Sequence, residues 1–268
     1  MDKNRRTVRW ILVAIMIGMA IYYFSVKPVN NNATSRSNLI ESIKQHWPDL
    51  AILTDVKSKQ YFTDEWNNDF VRPKATPIKD DQLRRFLTIL PVELHKYPTS
   101  LIKSDLHAIA LSSSLSLYGI EYGGSNSGKR IYMTVLSAEQ GYTDEYIRRT
   151  IHHEFSSILI RDHKFPLQEW RASLPAGVKY NDSIDKEVKM IEAGRDISLA
   201  SSKLLEQGFL SSYGLTNYIN DVNTYAELLF IEPDKIKKLA DIYRIIGIKY
   251  NLLIKFYKNL DINYKWEF

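Results

Sequence analysis

The chain has 268 residues, of which 44% are hydrophobic and 25% charged, an ordinary globular composition with room for one large domain or two lobes around a cleft. Cysteine is absent, which excludes disulfides, thiolate metal ligands, a cysteine nucleophile and a lipidated cysteine. The net charge of +5 lies largely within residues 1–27, so the remainder carries no basic excess that would indicate nucleic-acid binding.

The N-terminal residues predict attachment to a membrane. Residues 10–26, WILVAIMIGMAIYYFSV, are uncharged and lie between Arg9 and Lys27. No small-x-small cleavage site follows them, so we interpret them as an uncleaved transmembrane signal anchor; a cleavable signal peptide is the alternative. The basic tail, residues 1–9, then lies in the cytoplasm and the body of the chain outside it, as in a single-pass membrane protein.

A polar, Asn- and Ser-rich linker is expected over residues 27–38, followed by one extracytoplasmic domain over 39–268. Up to residue 105 the patterns predict a short helix, a strand, a loop and a second helix that Pro91 either kinks or divides. These elements span residues 37–47, 49–56, 71–79 and 80–94.

Residues 106–136 change to an alternating apolar pattern that is typical of strands. We interpret Gly119 as a bulge, because the parity of the apolar residues reverses after it. The stretch GGSNSGK (123–129) predicts a turn, and RIYMTVL (130–136) predicts the second strand of a β-hairpin.

From residue 143 onward the chain reads as mainly helical. Thr143 can cap a helix over 144–160, whose first turn is acidic as the helix dipole favours. Further helices are expected over 183–206, 219–231 and 233–258, with Gly208 just after a helix end. The fold class is therefore α+β, a mainly helical domain with a small β-sheet or hairpin before the 144–160 helix.

That helix contains a broken zinc-protease motif. In H-E-x-x-H, two imidazoles one turn apart bind zinc and the glutamate acts as general base on a zinc-bound water. Here His153 and Glu154 are followed by Ser157 at the second ligand position, and a serine hydroxyl is a poor zinc ligand. His163 has the spacing of the third ligand of a longer pattern, although Ile160 occupies the position of its glycine. The simpler interpretation is a set of ordinary polar residues on a partly buried helix.

Four stretches together resemble the zinc-binding metallopeptidases of bacterial surface lipoproteins. They are HHEFSSIL (152–159), Trp170 followed by Pro175 and Tyr180, GFLSSYG (208–214) and DVNTYAELLF (221–230). The resemblance covers about the second half of the chain. It implies a zincin-like fold, a zinc cofactor, a peptide or protein substrate and a location at the bacterial cell membrane. The chain departs from these relatives in its anchor, which is a transmembrane segment instead of a lipidated cysteine.

Carried over residue by residue, the resemblance makes His153 the first zinc ligand and Glu154 the general base. Ser157 then replaces the second ligand, and Asn223 stands at the acidic ligand position on the later helix. Two such replacements would weaken zinc binding, because a catalytic zinc site needs three protein ligands and an open position.

Compensation by other residues is the open alternative. His152 or His163 could join His153 and Glu227 in a rearranged zinc site, with Asp221 as a further nearby carboxylate. His152 lies about 100° around the helix from its neighbour, which makes joint ligation awkward.

Three functions follow as hypotheses. The first is a membrane-anchored zinc metallopeptidase with altered ligands that hydrolyses peptides. The second is a catalytically inactive zincin-like module that binds a peptide or an envelope protein in the former cleft, and the third is an interaction domain without zincin ancestry. The aromatic segment FPLQEWRASLPAGVKY (165–180) either lines the substrate cleft or packs under the C-terminal helices.

Overall fold

The structure is a computed structural model that describes residues 36–181 and 201–268. The predicted cytoplasmic tail, the anchor over 10–26 and most of the linker lie outside these residues. Within the two described ranges no helix combines the length and the apolar character needed to cross a membrane. Residues Leu39–Phe268 make up one compact unit, and Met1–Asn38 make up a separate one.

A mixed β-sheet organises the first half of this unit. Its strands are β1 (Ala51–Leu53), β2 (Lys74–Pro77), β3 (Ala108–Leu117), β4 (Ile120–Glu121), β5 (Gly124–Ser127) and β6 (Arg130–Thr134). The main strand order is β1-β3-β6-β5, and β2 and β4 also pair with β3. Both β1 and β6 run parallel to β3, which explains why β3 is buried along most of its length.

The predicted hairpin between the two apolar strands is wrong, because β3 and β6 are parallel neighbours. The chain reverses twice between them. Tyr118 and Gly119, with φ of 57° and 83°, form a tight turn from β3 to β4, so Gly119 is not a bulge. The stretch GSNS, predicted as a turn, is β5, which pairs with β6 through a second turn at Gly128 and Lys129.

Residues 71–79, which were predicted as a loop, contain the strand β2. This strand is short and largely exposed, and it pairs antiparallel with the outer half of β3. The register shifts between Thr76 and Pro77, where proline has no N–H to donate to the ladder. Such a strand has no buried face, so its sequence carries no alternating signal.

The helices follow the predicted order with some changes of boundary. They are α1 (Arg36–Lys44), α2 (Asp80–Leu94), α3 (Thr99–Asp105), α4 (Asp144–Asp162), α5 (Leu167–Ala172), α6 (Ser202–Glu206), α7 (Tyr218–Ile231), α8 (Pro233–Ile242) and α9 (Arg244–Leu260). Helix α2 continues through Pro91 without dividing. The single helix predicted over 233–258 is two, because Tyr243 adopts an extended conformation. The helix predicted over 183–206 lies mostly outside the described residues, and its last turn is α6.

Helix α4, which carries the broken motif, lies at the centre of the unit. Its N-terminus is capped as predicted, since the Thr143 hydroxyl accepts a hydrogen bond from the Tyr146 N–H. One apolar stripe is fully buried and consists of Ile147, Ile151, Phe155, Ile158 and Leu159. Because α4 contacts β5 and β6 on one side and α7 on another, its polar residues are buried too. The fold is therefore a mixed assembly of helices and one sheet, as the α+β prediction expects in outline.

Candidate functional site

The first contact of the site joins α4 to α7. His153 Nδ1 lies 2.6 Å from Glu227 Oε1, and both side chains are largely buried. A neutral imidazole makes this contact by donating its Nδ1–H to the carboxylate, which leaves Nε2 with a lone pair. Among the described residues Nε2 has no hydrogen-bond partner, and the ring lies beside Tyr213, with ring centroids 5.9 Å apart.

A second contact joins the two positions at which the resemblance expects further zinc ligands. The Asn223 Nδ2 amide donates to Ser157 Oγ at 2.6 Å. Ser157 follows His153 by one helical turn, and Asn223 precedes Glu227 by one turn, so α4 and α7 cross antiparallel with two stacked polar contacts. The two positions are therefore bonded to each other, while Asn223 Oδ1 is buried without a hydrogen-bond partner among the described residues.

Glu154 is held from the sheet side. Its Oε2 accepts a hydrogen bond from Asn126 Nδ2 at 2.9 Å. The backbone of β5 passes closely over α4 here, since a Cβ added at Gly124 would overlap Thr150 and lie 2.9 Å from Glu154 Oε1. Glycine at position 124 thus allows the strand to cross directly above the carboxylate.

These side chains line a cleft of about 1030 Å³. Its walls come from α4, from β5, from the start of α7 and from two rim segments, residues 69–72 and 118–122. His153, Glu154 and Ser157 all line it. A cleft of this volume can accept several residues of an extended peptide.

Strand β5 presents an open edge to this cleft. In the described residues it pairs with β6 alone, and Ser125 and Ser127 alternate with Gly124 and Asn126 along the ladder. The Thr134 N–H donates to the Gly123 carbonyl, so the odd-numbered positions face β6. The backbone N–H and C=O groups of Gly124 and Asn126 therefore point away from β6, to the open side.

His152 lies in a different cluster from His153. Its Nε2 lies 2.8 Å from Glu93 Oε2, and its Nδ1 lies 2.7 Å from the Tyr97 hydroxyl. Burial lowers the pKa of His152, although Glu93 opposes this, so the ring is neutral, accepts from Tyr97 and donates to Glu93. This arrangement occupies both nitrogens in a cluster apart from the contact between His153 and Glu227.

His163 also lies away from the motif site. Its Nε2 is 3.2 Å from Asp105 Oδ2, beyond the end of α4. In the described part of the chain no three His, Asp or Glu side chains are grouped so that they could hold a metal ion. Within these residues neither His152 nor His163 joins His153 and Glu227 in a group that could hold a metal ion.

Asp221 points into the core instead of the cleft. Its Oδ2 accepts hydrogen bonds from Trp170 Nε1, the Tyr180 hydroxyl and Lys249 Nζ, at 2.9, 2.6 and 2.7 Å. Burial raises the pKa of Asp221 and lowers that of Lys249, and the ion pair opposes both shifts. Trp170 and Tyr180 therefore pack under the C-terminal helices, and the alternative that they line the cleft is not supported.

The side chains at the site do not fit a catalytic zinc. His153 offers one imidazole nitrogen, while Ser157 and Asn223 offer neutral oxygens. The two nitrogens of an imidazole point away from one another. Because Glu227 is bonded to Nδ1 of His153, it can orient the ring but cannot bind a metal ion that Nε2 holds. This donor set falls short of the three ligands that catalytic zinc requires.

Comparisons with known proteins add one fold-level likeness. No family model matches the chain, and no curated protein matches it. A crystal structure described as that of a "putative zinc-binding metallo-peptidase" from Bacteroides caccae is 15% identical, with 82% of this chain and 83% of that one covered and a TM-score of 0.49. Because both values are low, this likeness indicates nothing about the function of the chain.

Several residues of the cleft escaped the sequence analysis. Asn126 and Gly124 lie in the stretch that was interpreted as a turn, Arg72 lies in the loop predicted over 71–79, and Phe70 directly precedes that loop. The glycine pair at 123–124, at the start of β5, is the one local signal of a close backbone approach. The rim residues carry no signal of their own, because only the folded sheet brings them beside α4.

Proposed function

We propose that this protein is a catalytically inactive zincin-like module that holds an extended segment of a peptide or protein partner in the cleft. The observation that carries the proposal is the hydrogen bond from Asn223 to Ser157, which joins two expected ligand positions beside an open strand edge.

The chemistry is lost because no donor set for zinc remains around His153. A single imidazole binds zinc weakly, and hydrolysis requires a zinc-bound water that the general base can deprotonate. Glu154 lies beside the cleft but is bonded to Asn126, an amide that stabilises the carboxylate and offers no acid–base function.

The binding is retained because β5 has an open edge along the cleft. An extended peptide can add to such an edge through main-chain hydrogen bonds, while pockets beside the edge select its side chains. The outward N–H and C=O groups of Gly124 and Asn126 supply these hydrogen bonds. The partner would meet the cleft outside the cytoplasm if residues 10–26 form the predicted anchor.

Peptide hydrolysis is the second candidate function. The adjacent His153 and Glu154 both line the cleft, as a zincin requires of its first ligand and its general base. The two candidate functions differ in what happens to the bound peptide: an inactive binding module leaves it intact, whereas a peptidase cleaves it.

The test compares two substitutions at one position. Full-length protein is titrated with blocked hexapeptides that carry an acidic, a basic or a neutral central residue, and mass spectrometry follows each peptide for a day. Asn126→Pro removes the outward N–H and the side chain, whereas Asn126→Ala removes only the side chain. We expect the hexapeptides to remain intact in the presence of the wild-type protein. We also expect Asn126→Pro to bind them with an affinity about tenfold lower than that of Asn126→Ala. Cleavage that Glu154→Gln abolishes, or no binding by any of the hexapeptides, would overturn the proposal.

A further inference from the structure

Two strained backbone positions occur side by side on the rim of the cleft. Within the ranges 36–181 and 201–268, Arg72 and Tyr118 are the non-glycine residues with positive φ, at 48° and 57°. Both line the cleft, and the Tyr118 N–H donates to the carbonyl of Val71 at 2.6 Å. Backbone strain of this kind persists where the surrounding fold enforces it, and it concentrates at binding sites.

This rim exposes apolar side chains to the cleft. Phe70 is 79% exposed and Tyr118 42% exposed, and their rings meet edge to face with centroids 5.4 Å apart. Ile219, at the start of α7, is 37% exposed and lines the same cleft. Large apolar groups that remain exposed beside a cleft mark a surface where another molecule binds.

The rim also carries a cation that is available to a ligand. The guanidinium of Arg72 forms no ion pair or side-chain hydrogen bond with any described residue. Arg161, which also lines the cleft, is instead bonded to Asp162, to Asn126 Oδ1 and to the Gly128 carbonyl. The acidic residues of the rim, Asp69 and Glu121, form no ion pair with Arg72 in the described part of the chain. An exposed guanidinium binds a carboxylate through two parallel N–H donors.

We infer that the rim selects peptides in which an acidic side chain stands next to a bulky apolar one, an inference that rests on the proposed function. The peptide carboxylate meets Arg72, and the neighbouring aliphatic or aromatic side chain packs against Phe70 and Tyr118. Strand addition at β5 uses main-chain hydrogen bonds and so gives affinity for peptides of any sequence. The rim residues determine which peptide side chains are preferred.

The experiment uses three blocked hexapeptides that differ at one position beside a leucine, with Asp, Ser or Lys there. Full-length wild type is expected to bind the Asp peptide about tenfold more tightly than the Lys peptide, with a difference that shrinks as salt is raised. Arg72→Glu should invert this order. Arg72→Asn, which keeps a residue that tolerates positive φ, should bind the Asp and Ser peptides equally.

Lys74→Glu is the matched control, because it makes the same charge change on β2 without lining the cleft. It should retain the wild-type preference. Equal affinity of wild type for the three peptides, or an unchanged preference in folded Arg72→Asn, would overturn the inference. Either result leaves the proposed function intact, whereas a failure of all three peptides to bind would overturn the proposed function itself.

Discussion

Asn223 donates its side-chain amide to the hydroxyl of Ser157 at 2.6 Å, one helical turn from the contact between His153 and Glu227. The two helices are thus joined by two polar pairs that lie one helical turn apart. The Asn223 amide N–H and the His153 imidazole each gain a partner in this way, which stabilises the crossing of α4 and α7, while Asn223 Oδ1 has no partner among the described residues.

Restoring two ligands should restore zinc binding. In the double variant Ser157→His with Asn223→Asp, a second imidazole and a carboxylate would join His153, which completes a three-ligand set. We expect about one equivalent of zinc after dialysis, measured by elemental analysis, against less than about a tenth for Ser157→His with Asn223→Ala. A zinc-free double variant that folds normally would show that these positions are not former ligand positions.

The buried ion pair should be a large contributor to stability. Lys249→Met leaves the Asp221 carboxylate in the core without its cation, and we expect the free energy of unfolding in urea to fall by about 3–5 kcal/mol. Asp221→Asn combined with Lys249→Met removes both charges and should recover part of this loss. A double variant that is less stable than the single one would contradict this account of the pair.

Stability should decrease in acid in two steps. Burial lowers the folded-state pKa of His152 below 6.5, so the unfolded chain binds the proton more readily and the free energy of unfolding falls as pH drops below about 6.5. Burial tends to raise the pKa of Glu93, but the contacts with His152 and Lys96 outweigh burial and lower this pKa below 4.5. The second decrease in the free energy of unfolding therefore begins below pH 4.5.

The first step is tested by urea unfolding between pH 7 and pH 5. One titrating group changes the free energy of unfolding by at most about 1.4 kcal/mol per pH unit. His152→Gln should flatten this dependence, and His46→Gln, on an exposed residue, should leave it as in wild type. An equally steep dependence in His152→Gln would contradict the assignment to His152.

Gly124→Ala should disturb the cleft, because the new methyl group would press on Thr150 and on the Glu154 carboxylate. We expect a loss of about 1–3 kcal/mol in stability, from overpacking, together with weaker binding of the hexapeptides. Ser125→Ala, on the neighbouring residue of β5, is the matched control for stability and should change the free energy of unfolding by only a small amount. Unchanged stability in Gly124→Ala would mean that β5 lies farther from α4.

The sequence could predict those parts of the fold that depend on local chemistry. Helix α4 has a threonine cap, an acidic first turn and an apolar stripe, all of which act within a few residues. The divergence of His152 from His153 likewise follows from the 100° step between adjacent helical residues.

The pairing of the strands could not be predicted from the sequence. Alternation of apolar and polar residues indicates that a strand exists, but it does not indicate which strand lies beside it. Strand β5, made of Gly124 to Ser127, contains no apolar residue and resembled a turn. The contact between His153 and Glu227 spans 74 positions in the chain, so only the resemblance, and no spacing, brought these two residues together.

Zinc content measured together with peptide cleavage tests the central claim most directly. Full-length wild-type protein is equilibrated with zinc, dialysed and analysed for metal, and the hexapeptides are then incubated with it. We predict less than about a tenth of an equivalent of zinc and intact peptide that the protein still binds. One equivalent of zinc that is lost in His153→Ala, with cleavage that is lost in Glu154→Gln, would contradict the claim.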